Sequence, residues 1–286
     1  MGDALKLNFN DVKHNAHSSD FLILFLLVPL IAACRWFIEQ FVATYFFTTS
    51  IQARTLLAKG QRLQYRTTKK KFQESFWKFV FYASMCVVGF LTVKDPTDTL
   101  LLSSYPNDLP ASMKTYYMIE LAFYIWMTVC LQSDTRRKDH KEMTFHHMAT
   151  MVLLMVSYSN GVTNIGGLIL LIHDLSDPFL EFAKMMSYTK KELYATLAFV
   201  CFALTFLSTR LIWYPYSALY PSYIHGYELC IIYDKLPYYY LVVGCLLGIL
   251  ACNVMWSCLI LKMIFRKLTT DGQVKDCRSD DDEDND

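Results

Sequence analysis

Residues 143–183 read MTFHHMATMVLLMVSYSNGVTNIGGLILLIHDLSDPFLEFA, and the fold turns on how this stretch is read. Two apolar runs, 143–159 and 165–183, flank Asn160-Gly161-Val162-Thr163-Asn164, a turn signal. Both are short for membrane spans, which need about 20 apolar residues to cross a hydrocarbon core of about 30 Å. The turn between them makes them a helical hairpin. That hairpin carries His146, His147, His173, Asp174 and Asp177, ionisable groups where apolar ones are expected.

Working outward, five more apolar stretches qualify as spans, at 20–38, 76–93, 116–131, 193–213 and 238–261. The chain of 286 residues is 54% hydrophobic and 15% aromatic. A soluble domain sits near about 45–50% apolar, so the excess asks for lipid rather than a larger core. The fold expected is all-α, a polytopic membrane protein with about seven transmembrane helices. A net charge of +1 argues against bulk affinity for nucleic acid. Of nine cysteines, seven fall in apolar stretches, so they read as packing thiols rather than a disulfide framework. The first nineteen residues are polar, and no small-residue cleavage site follows the first apolar run, which therefore reads as a span and not a cleaved signal.

Lys and Arg fix the orientation. Loops 39–75, 132–142, 184–192 and the C-terminal segment hold 19 of them, and the alternate loops hold five. Arg35, Lys78 and Arg210 fall inside spans. By the positive-inside rule the N-terminus is lumenal and the C-terminus cytosolic. The organisation expected is a lumenal segment 1–19, a first transmembrane helix 20–38, a basic cytosolic linker 39–68, a six-span domain 69–270 and an acidic disordered tail 271–286. In that tail, Ser279 precedes a run of acids that would suit an acid-directed kinase or simply solubilise the chain.

Ionisable groups at a helix centre cost about 2.5–3.5 kcal/mol each on insertion scales, so they need a reason. On one helix His173 and Asp177 stand at i,i+4 and Asp174 and Asp177 at i,i+3, a single stripe. His146 lies roughly 5 Å inside the cytosolic end of its helix and Asp177 roughly 18 Å from the lumenal end of the next, so the five groups can meet. Several imidazoles beside carboxylates supply a general base, an oriented base or an acyl-carrying nucleophile. His with Asp also suits zinc or iron, although no HxxxH or HxxHH spacing is present, and a purely structural polar zipper is the third reading. Arg136, Arg137 and Lys138 stand at the cytosolic mouth, suited to the phosphates of an anionic substrate such as a coenzyme A thioester, or to anchoring on anionic lipid. Glu120, Arg210 and Asn253 also sit in spans, where they line the same cavity or pair with one another.

Arg136-Arg137-Lys138-Asp139 with Met143, His146-His147, Ser157-Tyr158, Gly166 and His173-Asp174-Leu175-Ser176-Asp177 resembles the signature of the ceramide synthases, the longevity-assurance branch of the TLC-domain superfamily. Lys71-Phe72-Gln73-Glu74-Ser75-Phe76-Trp77-Lys78-Phe79 looks like the start of that domain, and the similarity covers roughly 69–270. The stretch between the first two spans leaves no room for a homeobox-like insert, as in the plant, fungal or protist type. No Asn-X-Ser/Thr sequon is present. The resemblance implies spans two to seven forming a bundle or barrel around a lipid cavity. It implies an endoplasmic reticulum N-acyltransferase joining a fatty acyl-CoA to the amine of a sphingoid base, with no cofactor and no metal. His146 is then the favoured acyl carrier, with His147 as the alternative base. Asp174 and Asp177 orient an imidazole, His173 is a second base, and Arg136, Arg137, Lys138, Arg210 and Asn253 bind substrate. The loop 214–237, rich in aromatic residues, is the segment that sets acyl-chain length. A homodimer or a regulatory subunit stays open as a partner. The competing reading is a non-enzymatic TLC protein that assists translocation of membrane segments or senses lipid.

Overall fold

The computed structural model describes residues 16–93, 109–131, 134, 138–232 and 236–269. Arg136, Arg137, most of the polar N-terminal segment and the acidic tail with Ser279 lie outside the described residues. Within them every regular element is helical: α1 (Ser18–Thr48), α2 (Ile51–Ala58), α3 (Arg62–Thr92), α4 (Ala111–Cys130), α5 (His140–Ser159), α6 (Thr163–Asp174), α7 (Asp177–Tyr188), α8 (Glu192–Leu207), α9 (Tyr220–Ile232) and α10 (Leu236–Thr269).

Among the described residues four helical stretches are long and apolar enough to cross a membrane: Ser18–Thr48, Arg62–Thr92, Glu192–Glu228 and Leu236–Lys267. The remaining expected spans are helical too, as α4, α5 and the α6–α7 pair. α6 and α7 fall below that measure because each has only 12 residues, whereas α4 and α5, of 20 residues each, do so because Lys114 and Glu120 and the polar first turn with the histidine pair lower their hydropathy. These polar helices are covered by the apolar ones. α4 packs on α1 and α5, α5 on α10, and α3 runs along α7. Lipid-compatible residues such as Phe25, Leu91 and Leu204 are exposed, whereas Tyr116, Tyr117, Phe123 and Tyr158 are fully buried around α4.

The α5–α6 turn is Asn160-Gly161-Val162, two residues shorter than the sequence suggests, because α6 starts at Thr163. Gly161 takes a left-handed φ of 73°, which explains the glycine there.

Two expectations change. The stripe His173–Asp174–Asp177 is not on one continuous helix, since α6 ends at Asp174 and α7 begins at Asp177. Pro178 stands in the first turn of α7. It has no N–H for the Asp174 carbonyl, and its ring crowds that carbonyl. Of the loop expected at 214–237, residues 214–232 are helical instead, and α10 begins at Leu236. The chain passes Pro215 by widening into π-helical turns at Ser208–Trp213 and Pro215–Leu219. A wide turn absorbs a missing donor without breaking the rod. The basic linker is likewise helical, and Ala43, Phe47 and Ala53 dock on Phe72 and Met185.

Candidate active site

The α5–α6 hairpin brings the imidazoles together. His146 and His173 have ring centroids 6.0 Å apart, and His146 and His147 are 6.1 Å apart. α4 supplies Tyr124, edge-on to His146 at 6.5 Å and to His147 at 5.6 Å. α10 supplies Asn253 and Trp256, and the Trp256 ring stands 5.4 Å from that of His146. All three histidines are buried.

Each imidazole is held differently. His173 Nδ1 lies 2.8 Å from the Ile169 carbonyl, an acceptor, so Nδ1 carries the proton and donates it. Nε2 then keeps its lone pair, and the Asn253 amide faces it at 3.5 Å. His147 Nδ1 is 3.5 Å from Thr128 Oγ1. His146 Nδ1 is buried with no hydrogen-bond partner among the described residues. Its ring is located by packing against Trp256, whose Nε1 donates to Asp139 Oδ2 at 3.0 Å. Its carbonyl receives Thr150 Oγ1 at 2.8 Å.

The carboxylates are not where an orienting role would put them. Among the described residues neither Asp174 nor Asp177 is hydrogen-bonded to an imidazole. Asp177 pairs with Arg210, whose Nη2 lies 3.3 Å and 3.4 Å from its two oxygens. The same nitrogen donates to the His173 carbonyl at 2.5 Å, one of those that the end of α6 leaves without a helical partner. Arg210 also stacks over Phe206 at 4.8 Å. This guanidinium, expected to meet substrate, is committed to closing the α6–α7 break. Asp174 is 1% exposed and lies against Glu120 of α4, which is 0% exposed. Lys138 is exposed at the start of α5.

A cavity of about 100 Å3 opens beside His173. His173, Tyr124 and Thr150 form one end, while Val162 and Gly166 beside the hairpin turn form the other. From Val162 to His173 the wall follows α6 for roughly 16 Å at 1.5 Å per residue. Ile169, Leu246 and Ile249 make it almost wholly apolar. Among the described residues no three His, Cys, Asp or Glu side chains are placed to hold a metal ion.

The family model described as the TLC domain matches residues 71–262. Ceramide synthase 4 of Homo sapiens is 36% identical over 218 residues, 74% of this chain but 54% of that protein, so the chain spans about half that relative's length. ASC1-like protein 3 of Oryza sativa subsp. japonica is 34% identical over 90% of this chain and 95% of its own. Ceramide synthase LOH2 of Arabidopsis thaliana is 37% identical, covering 76% of each. The chain belongs to the TLC-domain family, in its ceramide synthase branch. As a TLC domain with long apolar helices it is a multi-pass membrane protein.

Within this TLC domain, the motif residues away from the histidines hold the hairpin. Ser157 Oγ donates to Tyr117 Oη at 3.3 Å, and Tyr117 Oη donates to the Thr163 carbonyl at 2.9 Å. Tyr158 Oη donates to Asp20 Oδ2 at 2.6 Å. Sequence reasoning missed Tyr124, Thr128, Trp256 and the Ile169 carbonyl. Tyr124 stands one helical turn after Glu120 and Trp256 one turn after Asn253. That spacing was a readable signal, whereas the neighbours each stripe meets are set by packing.

Proposed function

We propose that this chain is an acyl-CoA-dependent sphingoid base N-acyltransferase, working through a histidine-centred acyl-transfer site. The observation that carries the reading is the convergence of His146, His147 and His173 from two adjoining helices, with His173 lining one end of an apolar cavity. Such a cavity suits a hydrocarbon chain, and imidazole suits an acyl group in transit. In the route we favour, His146 attacks the thioester carbonyl. The C–S bond breaks, and the coenzyme A thiolate leaves and is protonated. The sphingoid amine then attacks the acyl-imidazole, forming the amide C–N bond and breaking the acyl–imidazole bond. His173, with Nε2 unprotonated, or His147 takes the amine proton. Trp256 and Asp139 position His146, and Asn253 positions His173. Arg136, Arg137 and Lys138 hold the coenzyme A phosphates. Asp177 and Arg210 lock the α6–α7 break against the site.

This reading takes the chain as seven spans, with six in a domain 69–270 around the cavity. It places the protein in the endoplasmic reticulum, with 1–19 lumenal and the acidic tail cytosolic. An engineered glycosylation sequon within residues 1–15 is then modified, whereas one within 271–286 is not. Purified protein given palmitoyl-CoA and sphinganine should release free thiol only when both are present in turnover amounts. Wild type releasing none defeats the proposal. Intact mass after acyl-CoA alone should show the added acyl group on wild type and not on His146→Ala. Lipid analysis of a ceramide-synthase-null cell rescued by the chain reads the acyl length.

A further inference from the structure

Glu120 and Asp174 form a cluster that the acyl-transfer steps leave unused. Their four carboxyl oxygens are buried, and among the described residues none receives a hydrogen bond from a donor. The two side chains face each other across α4 and α6. The hydroxyl of Tyr116, on the same helix one turn before Glu120, is also buried without a hydrogen-bond partner among the described residues. A buried carboxyl without a donor is costly, and two facing each other repel when ionised. A helix pair built this way is short of one cation that carries several N–H groups.

The position of the pair says which cation. Glu120 stands one turn from Tyr124, whose ring contacts both His146 and His147. Asp174 follows His173, whose ring is 6.0 Å from that of His146. Each carboxylate thus stands within one turn, along its own helix, of a residue whose ring meets that of His146. Arg210, the nearby guanidinium, is engaged by Asp177 instead. Among the described residues there is no third His, Cys, Asp or Glu to complete a metal site with them.

We infer that Glu120 and Asp174 receive the protonated primary amine of the long-chain base, hold it beside the acyl-bearing imidazole and accept its proton. This deepens the proposed acyl transfer and rests on it. In the step, R–NH3+ gives one proton to the carboxylate pair. The free amine then attacks the acyl carbon, and the second N–H proton passes to imidazole as the amide forms. Glu120 thereby touches the substrate and is a catalytic residue, one that neither the histidine motif nor the basic run points to.

The test compares wild type, Glu120→Gln and Glu120→Asp, purified in lipid nanodiscs, by initial rates against sphinganine at saturating palmitoyl-CoA and the reverse. The expected result for Glu120→Gln is a KM for sphinganine raised about tenfold or more, the loss of one hydrogen bond to a charged group. The KM for palmitoyl-CoA and the acylation seen with acyl-CoA alone should be unchanged. Glu120→Asp should recover part of the loss. A long-chain triol matching sphinganine with hydroxyl in place of amine should inhibit wild type more weakly than the non-reactive N,N-dimethylated amine. Glu120→Gln should erase that difference. Unchanged sphinganine kinetics in Glu120→Gln overturn the inference, while wild-type turnover keeps the proposed reaction standing. Should Glu120→Gln not fold, equal inhibition of wild type by triol and amine overturns it. Wild type without turnover on any acyl-CoA strikes the proposed function itself.

Discussion

Gly166 faces Tyr117 so closely that a Cβ built on it runs into the phenol hydroxyl and comes within 2.9 Å of Ser157 Oγ. That hydroxyl bonds the first residue of α6, so the glycine leaves room for the clamp that closes the histidine-bearing hairpin. Gly166→Ala should cost about 1–3 kcal/mol, as overpacking does, read as thermal unfolding in detergent. Gly166→Ala/Tyr117→Phe should recover part of it by removing the colliding oxygen, and a double variant no better than the single one refutes the clash. At the imidazoles, the expected ranking separates chemistry from positioning. His146→Ala should lower kcat by about a hundredfold or more, the scale of a lost acid–base or nucleophilic group. Asn253→Ala, which removes only the amide facing His173, should cost roughly tenfold with substrate KM little changed. Equal losses would place Asn253 at the substrate instead.

Secondary elements show how far the sequence could be read. The seven apolar runs all lie on helices, because length and apolarity act locally and lipid demands internally bonded backbone. The turn at Gly161 was equally local. What escaped was the handling of proline. Pro178 cuts a run that reads as one span, while Pro215 does not end a helix that composition marks as a loop. Both outcomes depend on what satisfies the freed carbonyls, and at the first break the answer comes from Arg210, 37 positions beyond His173. The site was legible as a set of residues on a hairpin. Its pairings were not, since Asp177 meets Arg210 and Asp174 meets Glu120 across helices whose neighbours no spacing reveals. Arg210→Met should therefore destabilise by about 3–5 kcal/mol, the cost of orphaning a buried charge. Asp177→Asn in that background should restore much of it. Chemical or thermal denaturation reads both, and additive losses in the double variant would mean the two side chains do not pair.

Across the whole molecule, the region matching the TLC domain starts at residue 71, yet α1 is fastened to it near both ends of its apolar run. Asp20 meets Lys114 Nζ at 2.7 Å and receives the Tyr158 hydroxyl. Arg35, held by Glu39, meets Asp134 at 2.7 Å, with Lys78 at 3.6 Å from the same carboxylate. Between these points Phe21, Leu24, Leu27, Val28 and Ile31 pack on the core that surrounds α4, the helix that carries Glu120 and Tyr124. In lipid, helices associate through packing and polar contacts rather than hydrophobic burial, so these ion pairs are the specific part of the interface. The chain can be divided at Gly60, where φ is +71° and no neighbouring atom lies within 4 Å of where a Cβ would stand. Co-expressed 1–60 and 61–286 should assemble and turn over, whereas 61–286 alone should lose both thermal stability and activity. Arg35→Met in the smaller fragment should weaken recovery of the larger one on affinity capture. Full stability and turnover of 61–286 by itself would reduce α1 to an anchor, and would mean that the buried Arg35–Asp134 pair does nothing for the helix beside the histidines.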